Sequence, residues 1–166
     1  MEIDLEKLES YEKGGLLRSA VHPSMPLRIW TYTQLTAYDR KWDEITLMCR
    51  GLVTDNNGVV ISRPFPKFFN WGEPGAPGHE LALEQQFEAY DKMDGSLIIV
   101  GKYENELVVS TKGSFTTWHS EKAAEYLQGF DPHDGLTGLF EFIDPNNRIV
   151  VDYGDVAQIK KAISEL

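Results

Sequence analysis

"SLIIVGKYENELVVSTKG", residues 96–113, is two apolar runs around Glu104-Asn105, the pattern of a strand, a turn and a second strand. An antiparallel pair of this kind brings the start of its first strand beside the end of its second. Lys92 precedes the first and Lys112 follows the second, so two amines are expected at one end of a sheet. Just upstream, "EAYDKMDG" (88–95) sets Lys92, Asp94 and Gly95 between an acidic approach and the apolar run. An amine beside a low-dielectric segment loses hydration, which favours its neutral, nucleophilic form. Met93-Asp94-Gly95 equally suits a plain turn, because Asp and Gly tolerate positive φ.

Outward from this hairpin the pattern is mixed. Ile3, Leu5, Leu8 and Tyr11 recur near helical spacing and predict a short helix over 3–12 ended by Gly14-Gly15. "LRIWTYTQLT" (27–36) is rich in β-branched and aromatic residues and predicts a strand. "GLVTDNNGVVISRP" (51–64) is two apolar runs about Asn56-Asn57-Gly58, a hairpin signal. The glycines and prolines of "WGEPGAPGHE" (71–80) predict an irregular loop. Residues 118–127 predict a helix and 136–154 a hairpin around Pro145-Asn146-Asn147. The closing "DVAQIKKAISEL" (155–166) suits a helix, with Asp155 as N-cap. No repeat or low-complexity segment interrupts this order. The expected class is α+β, antiparallel sheets flanked by helices.

The chain has 166 residues, one domain's worth, and 42% hydrophobic content is enough for a core. With 26 acidic against 16 basic side chains and a net charge of −10, the surface as a whole repels a polyanion. Nucleic-acid contact therefore requires a local cluster of Lys and Arg. One cysteine, Cys49, excludes an internal disulfide framework, fits a reducing compartment and reads as a packed apolar residue. The start "MEIDLEKLESYEKGG" lacks the basic and apolar blocks of a signal peptide, and no 18 apolar residues run together. A cytoplasmic protein is expected, or one of the host cytoplasm if the source is viral. His22, His79, His119 and His133 fall at no metal-ligand spacing, and no Walker A sequence occurs.

Four other stretches hold polar groups in apolar company. Arg50-Gly51 precedes a predicted strand, and Arg63 and Lys67 lie beside Phe68, Phe69 and Asn70 in "SRPFPKFFN". Lys112-Gly113 falls in "STKGS", and Glu141 lies inside the apolar strand "FEFI". Singly each has an ordinary explanation: a surface ion pair for Arg50, a strand-end gatekeeper for Lys67, core for the two phenylalanines. Glu141 is either simple strand alternation or a costly buried acid with a partner.

Taken in this order and spacing, "RGLV" (50–53), "RPFPKFFN" (63–70), "KMDGS" (92–96) and "FEFIDPNNRIV" (140–150) resemble the ATP-dependent RNA ligases of the phage T4 RNA ligase 1 type, in the covalent nucleotidyltransferase superfamily. The resemblance runs from about Leu27 to Tyr153. It implies a ligase adenylation fold, with residues 1–166 a single, partial nucleotidyltransferase domain. The implied enzyme attacks the α-phosphorus of ATP with a lysine, forms lysyl-AMP, passes AMP to an RNA 5′-phosphate and joins that end to a 3′-hydroxyl. By the same resemblance Lys92 is the nucleophile, Asp94 and Gly95 shape its loop, and Glu141 contacts the ribose. Arg50, Lys67 and Lys112 hold phosphates and sugar, while Tyr32, in "RIWTY", and Phe69 line the nucleotide pocket. ATP and Mg2+ are the implied cofactors, and RNA ends, tRNA among them, the implied partners in RNA repair.

The pattern departs from that family at its end. Only 25 residues follow Glu141, whereas the superfamily continues to a Glu-Gly-containing strand and a Lys-x-Lys strand that grips the phosphates. Lys160-Lys161 falls in the segment read as helix. The chain reads as the first part of a ligase, truncated at its C-terminus, with an exposed sheet edge that invites self-association. The competing readings are a non-catalytic nucleotide- or RNA-end-binding module derived from a ligase, and an acidic interaction domain with a chance Lys-x-Asp-Gly turn.

Overall fold

The computed structural model describes residues 2–70, 72–73, 86, 88, 90–133, 135–147, 151 and 157–161. Helix α1 spans Leu5–Lys13, starting where the Asp4 side chain accepts from the Lys7 N–H and ending at Gly14. Strands β1 (Leu17–Val21) and β2 (Leu27–Tyr32) follow, then the short helices α2 (Gln34–Tyr38) and α3 (Glu44–Met48). Strands β3 (Arg50–Asp55) and β4 (Val60–Ser62) complete an antiparallel sheet in the order β1-β2-β3-β4. The β3–β4 turn is built as its sequence suggests. The Asp55 carboxylate accepts from the N–H groups of Asn57 and Val59, and Gly58 takes φ 85°.

The second sheet contains β5 (Ser96–Tyr103), β6 (Glu106–Ser110), β7 (Gly138–Ile143) and β8 (Gln158–Lys161), ordered β6-β5-β7-β8 and antiparallel throughout. Helix α4 (Trp118–Tyr126) lies between β6 and β7 in sequence, and a 3-10 turn at Pro145–Asn147 follows β7. The two-residue β5–β6 turn puts Glu104 at φ 55°, beside Asn105.

Strand alternation divides the apolar residues into three clusters. Leu17, Trp30 and Leu52 turn to one face of the first sheet and pack with Leu8 and Cys49. Leu27, Ile29 and Val53 turn to the other face and meet Val108 and Phe115, which joins the two sheets. Ile98, Val100, Phe140 and Phe142 form the far face of the second sheet beneath Ala123 and Leu127. Burying an aliphatic or aromatic side chain of this size contributes about 1.5–3 kcal/mol. The sheets approach closely at Gly101, where an added Cβ would stand 2.7 Å from the Ile61 carbonyl oxygen.

Two expectations are corrected. The strand predicted over 27–36 stops at Tyr32, because Thr33 N-caps α2 and the Thr36 hydroxyl donates to the Leu16 carbonyl. The closing helix is not formed over 158–161, which is β8 paired with β7. Ile159 alternates there with Gln158 and Lys160, opposes Phe142 and packs on the third cluster, so burial at the β7 edge outweighs helical propensity. Asp155 lies outside the described residues, as does most of the loop over 71–80 and of the second arm of the hairpin read over 136–154. Among the described residues no helix is long and apolar enough to cross a membrane.

Candidate functional site

The strand order brings the chemical residues to one end of the two sheets. Tyr32 ends β2, Arg50 begins β3, Lys112 follows β6 and Lys92 precedes β5. Leu97 of β5 opposes Glu141 of β7. Ile99, two residues along, points at Gly51 of the first sheet, so Glu141 lies on the face turned toward that sheet.

Glu141 is half-buried and accepts a 3.0 Å hydrogen bond from the Gly95 N–H. Burial pushes its carboxyl above the ordinary value, against the opposing pull of Lys92, the Gly95 N–H and Arg50; Asp94 reinforces the upward shift. Lys92, Asp94 and Arg50 are thus within electrostatic reach of this one carboxylate. A Cβ at Gly95 would stand 2.5 Å from the Phe142 carbonyl oxygen and 3.1 Å from Glu141 Cγ, so the loop fits against β7 only without a side chain. Asp94 Oδ2 accepts from the Val151 N–H at 2.9 Å, a second tie on the same loop. Lys92 itself is exposed, so the chain alone does not strip its amine of water, contrary to the dehydration expected from the adjacent apolar run.

Beside this group lies an aromatic row. The Tyr32 and Trp42 rings meet edge to face with centroids 5.0 Å apart, and Trp42 and Phe69 at 5.4 Å. Lys67 Nζ stands 3.9 Å from the Phe69 ring centroid and donates to the Phe68 carbonyl, while its backbone N–H donates to Leu47. Lys112 Nζ lies 3.5 Å from the Tyr32 hydroxyl and 4.9 Å from the centre of its ring. Arg50 lies over Phe68 at 5.0 Å. The two groups are joined at Gly51, whose φ of 104° lets β3 pass where a Cβ would meet the Lys112 backbone at 3.2 Å.

The nine residues that the resemblance assigns to the site therefore fall into two adjoining groups: Lys92, Asp94, Gly95, Arg50 and Glu141 in the first, Tyr32, Lys67, Phe69 and Lys112 in the second. Trp42, which links Tyr32 to Phe69, escaped the sequence reading. The one signal was a large aromatic ring inside the charged run "YDRKWDE". Cys49 is fully buried and its thiol is pushed up to about 12 by burial, which fits core packing. Among the described residues no three His, Cys, Asp or Glu side chains gather to hold a metal ion.

An α+β chain that brings Lys92 and Arg50 to one half-buried carboxylate, beside an aromatic row with two further lysines, defines a candidate site but not yet a family. Comparison supplies one. The RNA ligase family model of the T4 RNA ligase 1 type matches residues 48–161, most of the chain. RNA ligase 1 of bacteriophage TS2126 is 42% identical over 126 residues, covering 63% of this chain and 31% of that protein. A Thermovibrio ammonificans protein with a provisional RNA ligase name is 32% identical over 114 residues, covering 63% and 30%. One from Autographa californica nuclear polyhedrosis virus, provisionally named a bifunctional polynucleotide kinase/RNA ligase, is 36% identical over 148 residues, covering 72% and 21%. The chain belongs to the RNA ligase family of the T4 RNA ligase 1 type. It spans about a fifth to a third of the length of these relatives.

Proposed function

We propose that this chain belongs to a nucleotidyltransferase domain that takes AMP from ATP onto Lys92 for transfer to RNA ends. The observation that carries the reading is the Gly95 to Glu141 hydrogen bond, which holds the Lys92 loop against a carboxylate and beside Arg50. In this reading neutral Lys92 Nζ attacks the α-phosphorus of ATP. An N–P bond forms, the bond from the α-phosphorus to the bridging oxygen breaks, pyrophosphate leaves with that electron pair, and the amine gives up its proton. Arg50, Lys67 and Lys112 supply fixed positive charge where the transition state spreads negative charge. Glu141 accepts from the ribose, and Tyr32 and Phe69 flank the nucleotide. Joining a 5′-phosphate to a 3′-hydroxyl is the later step of the same proposal.

Magnesium, when bound, would be carried chiefly by the phosphates of ATP, with Asp94 the carboxylate on the Lys92 loop, and would supply charge neutralisation there. The test is intact mass after incubation with ATP and magnesium. An AMP adduct is expected on the wild type, and none on Lys92→Ala or on Lys92→Arg, whose guanidinium stays protonated. Adduct persisting in both variants removes Lys92 from the role. Saturable ATP binding without any adduct would reduce the chain to a binding module.

A further inference from the structure

Arg18 stands opposite Thr31 on β1 and β2, and Thr31 stands opposite Arg50 on β2 and β3. Arg18 and Thr31 share the face turned to the second sheet, where both approach Gly113, and the register shift between Trp30 and Thr31 sets Arg50 across from Thr31, with its charge felt by Glu141 of the second sheet. At roughly 4.7–4.9 Å per strand the two arginine positions lie about 10 Å apart. Arg18 reaches across the gap between the sheets. Its guanidinium carbon would lie 3.1 Å from a Cβ at Gly113, with Nη2 closer still, so the group occupies the space that the glycine leaves open beside Lys112. Although acids outnumber bases 26 to 16, no hydrogen bond or ion pair joins the exposed Arg18 guanidinium to another described residue. Thr31 Oγ1, between the two arginine positions, is buried and likewise without a partner among the described residues.

We infer that Arg18, seated at Gly113, binds a backbone phosphate of a single RNA strand on the face of the first sheet turned to the second. The reason to assign RNA is position: Arg18 sits two strands from Arg50, a span suited to a polynucleotide backbone. A local cation without a competing acid is also what a chain of net charge −10 needs to hold a polyanion at all.

The inference rests on the RNA ligase reading, and its test is separable from it. The probe is a short single-stranded RNA with a 5′-phosphate and a fluorophore at its 3′ end, followed by anisotropy across a salt series. Arg18→Ala is expected to weaken binding about 5- to 20-fold, the scale of one charged contact near solvent. The slope of log K against log salt should become shallower by about 0.7, the value for one single-strand phosphate. Gly113→Ala should reproduce the loss with Arg18 intact, because its Cβ takes the guanidinium's place and the backbone there is not left-handed. Wild-type protein that takes up AMP but does not bind the oligonucleotide overturns this inference and leaves the ligase reading standing. Wild-type protein that takes up no AMP yet shows Arg18-dependent, salt-sensitive RNA binding sinks the ligase reading alone. Unchanged affinity in Arg18→Ala, or lost affinity at an unchanged salt slope, overturns the inference. So does slower AMP uptake with RNA affinity kept, which would put Arg18 on the triphosphate of ATP.

Discussion

The Gly95 N–H donates to Glu141 Oε1 across 46 positions of sequence. The bond is a consequence of register. Leu97 and Glu141 oppose each other on β5 and β7, so the chain two residues before Leu97 passes the Glu141 side chain. The loop that presents Lys92 is thereby anchored to the strand that presents the carboxylate.

Gly95→Ala tests that anchor. The new methyl would meet the Phe142 carbonyl oxygen at 2.5 Å, and backbone cannot yield as a side-chain tip does. The variant is expected to lose about 1–3 kcal/mol of stability in urea melts. AMP adduct formation should fall by at least tenfold although Lys92 is untouched. Wild-type stability together with wild-type adduct formation would show that the loop docks elsewhere.

Glu141→Gln should separate stability from binding. Because burial raises the folded-state pKa of Glu141 above 4.5, the native chain binds that proton more tightly than the unfolded chain. Its contribution is fullest below the unfolded value and is lost as pH rises through the folded one. Glutamine removes that loss, so the variant's melting temperature should gain on wild type between pH 4.5 and neutrality. With the side chain only half-buried, the gain should stay below about 1 kcal/mol. ATP affinity should drop by about 1–3 kcal/mol, since a neutral amide replaces a charged acceptor. A collapsed melting temperature with ATP binding intact would make Glu141 a structural partner instead.

The hairpins over 51–64 and 96–113 were legible because turn chemistry and apolar runs coincide: Asn56-Asn57-Gly58 and Glu104-Asn105 each sit between residues that want burial. The Lys92 loop, Glu141 and Arg50 could be named as polar residues beside strands, and the register of β5 and β7 then brings two of them together. What could not be read was anything fixed by distant packing. Residues 158–161 carry lysines that suit a helix, yet the unpaired edge of β7 and the apolar Phe142 opposite Ile159 select a strand. Trp42 gave no periodic signal, since its partners Tyr32 and Phe69 lie 10 and 27 residues away. Arg18 carried no signal in the sequence, since what marks it is Gly113 across the gap between the sheets.

Trp42→Ala is expected to loosen the row that holds Tyr32 and Phe69 in place. Two edge-to-face contacts at about 0.5–1.5 kcal/mol each put the stability loss near 1–3 kcal/mol in urea melts, and titration calorimetry with ATP should show weaker binding as the row loosens. Trp42→Phe should recover most of it, because a smaller ring keeps the edge contact. If phenylalanine binds ATP no better than alanine, the indole acts through something other than its stacking.

Lys160 offers the sharpest test of the chain's end. Strand β8 sets Lys160 directly opposite Glu141, which puts their Cβ atoms about 5 Å apart on one face. The lysine is exposed, so its amine is available to a ligand seated on the carboxylate. Read as part of a helix, this residue had no reason to approach the site; in β8 it is a neighbour of the group proposed to hold the ribose. As one charged contact beside the carboxylate, Lys160 should contribute about 10- to 100-fold, or roughly 1.4–2.7 kcal/mol, to the preference for ATP over AMP. Lys160→Ala should narrow that preference by the same factor, weakening ATP and leaving AMP nearly unchanged. Equal loss for both nucleotides would mean that the amine acts on the ribose end through Glu141. No loss for either would leave phosphate binding to Arg50, Lys67 and Lys112.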